Sequence, residues 1–243
     1  MYTAREQEQV AGDLGGSPNR AIDARDRPRW AASTALLGLL FAILATVLFV
    51  GFVALAFVAA GVDHPDNSPA FQFAAIAVQS VAFVTIALVM TGIPSLREFG
   101  FRRFKPSALG WALLALVAYF ALSGVYIALV HPPRDDLPQQ LGADNGALLA
   151  VVTGLFVIGV APPIEEFFFR GFLYQSLRNR VGVWGGAASS GLVFGAIHFK
   201  PEFLVPLAIL GTILALLLEK TGSLWPCILV HALNNTLAFA VTL

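Results

Sequence analysis

From position 31 onward, apolar residues neither alternate nor keep to one helical face; they fill whole stretches, broken by short polar segments. A helix needs roughly 20 consecutive apolar residues to cross a bilayer. Runs of that order lie at 31–61, 69–93 and 107–130, and a fourth covers 146–178 with Pro162 and Pro163 in its middle. Shorter apolar stretches follow at 183–199, 203–219 and 223–243. The pattern predicts an all-α, polytopic integral membrane bundle of seven transmembrane helices, or eight if the double proline splits the fourth run.

Residues 1–30 break with this pattern. Arg5, Arg20, Arg25, Arg27 and Arg29 stand among Glu6, Glu8, Asp13, Asp23 and Asp26, with Gly and Pro interspersed. Such a segment has too little apolar surface to offset the entropy of ordering it. The expected organisation is a disordered tail over 1–30 and a transmembrane helical domain over 31–243. The first apolar run comes too late and is too long for a signal peptide.

Composition sharpens the class. The chain is 57% hydrophobic and 12% charged, against about 25% charged in soluble domains, which argues against a soluble enzyme. Zero net charge offers no basic surface for nucleic acid, and the single Cys227 leaves no disulfide framework or multi-thiolate zinc site. Lys and Arg fall on alternate sides of the spans. One side holds the tail, Arg97, Arg102, Arg103, Lys105, Arg178, Arg180 and Lys220; the other holds Arg134 and Lys200 among Asp63, Asp66, Asp135, Asp136, Asp144 and Glu202. The excess of positive charge marks the cytoplasmic side, so the amino-terminal tail is expected inside a bacterial plasma (inner) membrane. Trp30, at the start of the first span, fits an interfacial anchor.

The first three spans, within 31–130, carry no charge or histidine inside them and read as lipid-facing. Every charge or histidine placed inside the membrane comes after residue 160, and such groups mark functional sites because each costs several kcal/mol there. They form three clusters: Glu165, Glu166 and Arg170 behind the double proline, Phe194 and His198, and His231 with Asn235. Proline is tolerated at a helix start, so both glutamates are expected in a first turn, favoured by the helix dipole. Glu166 and Arg170 are spaced i, i+4 and can neutralise each other. Glu165 has no partner on its own helix and lies beside Phe167, Phe168 and Phe169. Burial without a counter-charge brings a carboxyl's titration towards neutral pH, the condition a general base needs. Gly191 and Gly195 form a small-xxx-small pair that admits a close helix neighbour before His198. His231 and Asn235 share one helix face, where they can hold a metal, donate to an oxyanion, or simply join two helices. A carboxylate, two histidines and an amide on three helices are the parts needed to activate water on a carbonyl.

Taken in order, Glu-Glu-x-x-x-Arg at 165–170, Phe-x-x-x-His at 194–198 and His-x-x-x-Asn at 231–235 resemble the three motifs of the CaaX prenyl-protease and bacteriocin-processing (Abi) family of intramembrane endopeptidases. The flanks Arg170-Gly171-Phe172-Leu173-Tyr174 and Gly222-Ser223-Leu224-Trp225-Pro226 are similar to its bacterial members, and the resemblance covers 145–240, the catalytic half. It implies hydrolysis of a peptide bond in a membrane-associated protein or peptide. By that similarity, Glu165 and His198 activate the water, His231 and Asn235 stabilise the oxyanion, and Glu166, Arg170 and Phe194 support the site. It leaves open both a Zn2+ ion held by Glu165, His198 and His231 and a metal-free glutamate mechanism. Straight helices would put Glu165 towards the inner side and His198 near the outer end of its span, so the two must converge by some departure from straightness. The alternatives are a non-catalytic membrane scaffold, and a proton-coupled transporter relaying through Glu165, Glu166 and His198. Ser189-Ser190 and a Cys227–His231 pair are weaker nucleophile candidates, the first lacking a Gly-x-Ser-Gly-like string.

Overall fold

The computed structural model describes residues 28–133 and 137–242; the tail up to Arg27 and the outer-loop residues Arg134, Asp135 and Asp136 lie outside that range. Among the described residues, six helices are long and apolar enough to cross a membrane: α1 (Ala32–Ala59), α2 (Pro69–Thr91), α3 (Ser107–Val130), α4 (Ala147–Ala196), α5 (Leu204–Thr221) and α6 (Leu224–Thr242). No strand occurs among the described residues. The protein is an all-helical, polytopic integral membrane bundle.

The difference from seven spans lies in α4, which holds two of the expected segments. Gly182 adopts φ 77°, ψ 176°, a backbone region open essentially to glycine alone, and the helix doubles back there. Gly186 lies against Arg178, four residues on either side of the turn, and the Phe194 ring lies over Arg170, twelve on either side. The limb after Gly182 rises only about 20 Å at 1.5 Å per residue, short of the roughly 30 Å hydrocarbon core. It is the returning arm of a hairpin, and it packs most extensively against α5. Gly191 and Gly211 meet at that crossing: a Cβ on Gly191 would come within 2.6 Å of the Ala208 carbonyl, and one on Gly211 within 2.7 Å of the Gly191 Cα.

Nor does the double proline divide the helix. Pro162 and Pro163 have no N–H and crowd the preceding turn. The chain answers with a π-helical segment at Leu155–Val160, in which the Ala161 N–H bonds the Phe156 carbonyl, and continues unbroken. Eight spans are therefore not formed. The glutamates sit in the interior of α4 and not in a first turn, so no helix amino terminus stabilises them. A second π-helical segment, Phe167–Tyr174, follows them directly. π-Bulges leave backbone groups to be satisfied by other means and recur at functional sites.

Those groups are satisfied by side chains from elsewhere in the fold. Trp30 Nε1 donates to the Phe172 carbonyl at 3.1 Å, Ser190 Oγ to the Phe169 carbonyl at 3.2 Å, and Asn235 Nδ2 to the Val157 carbonyl at 2.9 Å. Trp30 is thus buried, 7% exposed, against Phe99 and Phe172. It is a fastener inside the bundle and not an interfacial anchor. The core that results is aromatic, with Phe83, Phe99, Phe168, Phe169, Phe172 and Phe194 almost fully buried, while α1 to α3 turn many leucines, valines and phenylalanines outward, as lipid-facing spans should.

Candidate active site

The three polar clusters of the second half of the chain come together between α4 and α6. Glu166 and Arg170 are both completely buried, with Arg170 Nε 3.1 Å from Glu166 Oε2. The contact is close enough to pair the charges but too poorly aligned for a hydrogen bond. Above it the Arg170 guanidinium lies over the Phe194 ring, its Cζ 4.4 Å from the centroid, a cation–π contact whose value grows when desolvated. The other oxygen of Glu166 accepts a hydrogen bond from His231 Nδ1 at 2.8 Å. The opposite ring nitrogen, Nε2, stands 3.7 Å from Glu165 Oε2. One imidazole therefore sits between two carboxylates, with one nitrogen fixed and the other turned to Glu165. Oε2 of Glu165 is shielded from solvent and accepts no hydrogen bond among the described residues, so it is free to take one from a water or substrate.

His198 joins through Phe194. Its Nδ1 is 2.7 Å from the Phe194 carbonyl, which can only accept, so Nδ1 carries a proton, and in the neutral ring Nε2 keeps its lone pair. The Phe194 ring packs edge-on to both imidazoles, with centroids 4.8 Å from His198 and 5.7 Å from His231. Glu165 and His198 make no direct hydrogen bond or ion pair among the described residues. They stand nearly level all the same, because they lie seventeen and sixteen residues from the Gly182 turn on opposite limbs of α4. The expected conflict in depth disappears once the chain doubles back between them.

Asn235 stands one turn beyond His231, and its amide donates to the Val157 carbonyl while accepting a bond from Asn234 at 3.3 Å. A catalytic zinc takes three protein ligands. Glu165 and His231 approach each other, but among the described residues no group of three His, Cys, Asp or Glu side chains is arranged to hold a metal ion. As arranged, the donor set does not fit the ion. Cys227 is fully buried and its thiol is directed to the Leu214 carbonyl at 3.3 Å, as expected of a small core hydrophobe.

Two buried features have little signature in the sequence. Arg178, counted there among the inner-side charges, is held by Glu219: Nη2 donates to Oε1 at 2.6 Å, Nε lies 2.6 Å from Oε2, and the Tyr174 hydroxyl donates to Oε2 at 3.1 Å. The network ties α4 to the end of α5 below the site. The contacts of Trp30 and Ser190 to α4 carbonyls also leave no trace, because nothing in a sequence marks which carbonyls a π-bulge releases.

Comparison with known proteins finds a family match over the part of the chain that holds this arrangement. Residues 147–237 match the family described as type II CAAX prenyl endopeptidase Rce1-like, a range that holds all three clusters. A protein of Escherichia coli, described as an uncharacterized 24.3 kDa protein, is 30% identical over 137 residues, which make up 54% of this chain and 61% of that relative. The chain thus spans less than two thirds of the length of the curated relative it matches. No solved structure matches it. Residues 147–237 are thus similar to the type II, Rce1-like CAAX prenyl endopeptidases.

Proposed function

We propose that the protein is an intramembrane endopeptidase that hydrolyses a peptide bond of a membrane-associated protein or peptide. The observation that carries the reading is the buried chain Arg170–Glu166–His231–Glu165 inside the spans. A scaffold has no use for so costly an arrangement. In the reaction, Glu165 Oε2 takes a proton from a water as its oxygen attacks the scissile carbonyl carbon, and the unprotonated Nε2 of His198 orients that water. Electron density moves to the carbonyl oxygen. Nε2 of His231 donates to that oxygen, with the adjacent Asn235 amide completing the donor side. Because Glu166 already holds the Nδ1 proton, the ring donates in this way only when it carries both protons. Glu165 then passes its proton to the leaving nitrogen as the C–N bond breaks. The lysine and arginine distribution supports a plasma-membrane protein with its amino terminus in the cytoplasm.

The test is mass-spectrometric mapping of new protein termini in cell membranes, wild type against a chromosomal Glu165→Gln variant of equal abundance. Termini lost in the variant establish proteolysis and identify the substrate. Identical sets under inducing conditions would sink the proposal in favour of the scaffold or transporter. Glu165→Gln, His198→Ala and His231→Ala should each abolish cleavage while folded protein persists; near-wild-type cleavage by any one removes that residue from the mechanism.

A further inference from the structure

We infer that Asn235 is a positioning residue that replaces the backbone N–H missing at Pro162, holding the carbonyl of Val157 and through it the placement of Glu165. The inference rests on the proteolytic reading for its effect on activity, but not for its structural content. It starts from hydrogen-bond accounting. In an α-helix the Val157 carbonyl would receive the N–H of Ala161, but that N–H is given to Phe156. In the π register its partner would be residue 162, and proline has none. The carbonyl is thereby orphaned by sequence, in a part of the protein where no bulk water can satisfy it. The Asn235 amide, from α6, reaches it at 2.9 Å. A carbonyl can only accept, so the nitrogen must face it, and the oxygen is left for Asn234.

The position matters as much as the bond. Asn235 and His231 lie one turn apart on α6, and Val157 and the two glutamates lie in the same order along α4. Asn235 to Val157 is thus one fixed point between the helices, and His231 to Glu166 the other. Releasing the first frees the π segment that carries the chain into Pro162, Pro163 and Glu165, and Glu165 then loses its register against His231. Of the two N–H bonds on the Asn235 amide, one is committed to Val157.

A double-mutant cycle tests this in the full-length protein purified in detergent, with thermal unfolding and cleavage as separate readouts. Asn235→Ala, and Asn235→Asp as the variant of nearly unchanged shape, should lower the melting temperature by a few degrees and cut cleavage on the order of a hundredfold, as a small misplacement of a reacting group does. Pro162→Ala restores a backbone N–H. Combined with either Asn235 variant, it should recover most of the melting loss relative to Pro162→Ala alone, and of the cleavage loss only the part that comes from misplacing Glu165, since the oxyanion donor stays absent. Strictly additive melting shifts would overturn the inference. So would a double variant that regains its stability yet stays as inactive as Asn235→Ala, which would show that holding the Val157 carbonyl does not place Glu165. If the wild type itself cleaves nothing, the proteolytic reading fails, and the melting cycle alone still decides whether Asn235 stands in for the proline's missing donor.

Discussion

At the scale of single residues, Glu166 and Arg170 separate stability from chemistry. Removing one member of a buried ion pair leaves an uncompensated charge and typically costs roughly 3–5 kcal/mol, whereas replacing both by apolar or neutral groups is often close to neutral. Arg170→Met is therefore expected to unfold much of the protein, and Glu166→Gln to be similarly harmful. The double variant Glu166→Gln/Arg170→Met should recover folded protein, measured by thermal unfolding and monodisperse yield in detergent. It should remain inactive, because the Nδ1 proton of His231 has lost the carboxylate that orients the ring. A double variant that cleaves would show that His231 needs no such support. The i, i+4 pair was legible in the sequence, since it follows from helix periodicity alone. That the same glutamate also holds His231, 65 residues away, was not, because periodicity carries no information across helices.

Elements carry the next level of control. Gly182 and the Gly191–Gly211 crossing bring the returning limb of α4, and His198 at its end, to the depth of Glu165. Gly182→Ala forces a side chain into a conformation that costs of order 1–3 kcal/mol, and should lower both the melting temperature and the cleavage rate. Gly191→Ala should do the same by pushing α4 from α5, since its Cβ would meet the Ala208 carbonyl and the Thr212 backbone. Wild-type melting of either variant would show that the turn or the crossing tolerates a side chain, contrary to this account. Here the sequence reading was partly right. The small-xxx-small pair at Gly191 and Gly195 correctly marked a close helix approach. The double proline misled, because a proline's missing donor can be absorbed by a π segment as well as by a helix end.

For the molecule as a whole, one fastening and the orientation in the membrane set the frame, and each has its test. Trp30 ties the start of α1 to the Phe172 carbonyl, and Trp30→Phe keeps the ring stacking but leaves that carbonyl unsatisfied, at a cost of about 1–3 kcal/mol; thermal unfolding unchanged from wild type would show that the bond carries no load. Orientation is open to cysteine labelling with little background, because Cys227 is fully buried. Ser68→Cys should react with an impermeant maleimide in intact cells, and Ser95→Cys only after permeabilisation; the reverse pattern would invert the topology. Hydrophobic run length by itself determined that this is a helical membrane protein, because a bilayer demands about twenty apolar residues per crossing regardless of packing. The cost of burying charge likewise pointed to the second half, where the buried polar cluster lies. What only the tertiary structure decided is how those charges meet: a reversal at Gly182 that brings Glu165 and His198 level, an imidazole shared between two carboxylates, and carbonyls released by π-bulges and capped from distant helices. Each of these depends on contacts between residues far apart in the chain, and such contacts are fixed by packing, to which a local pattern of apolar and polar positions is blind.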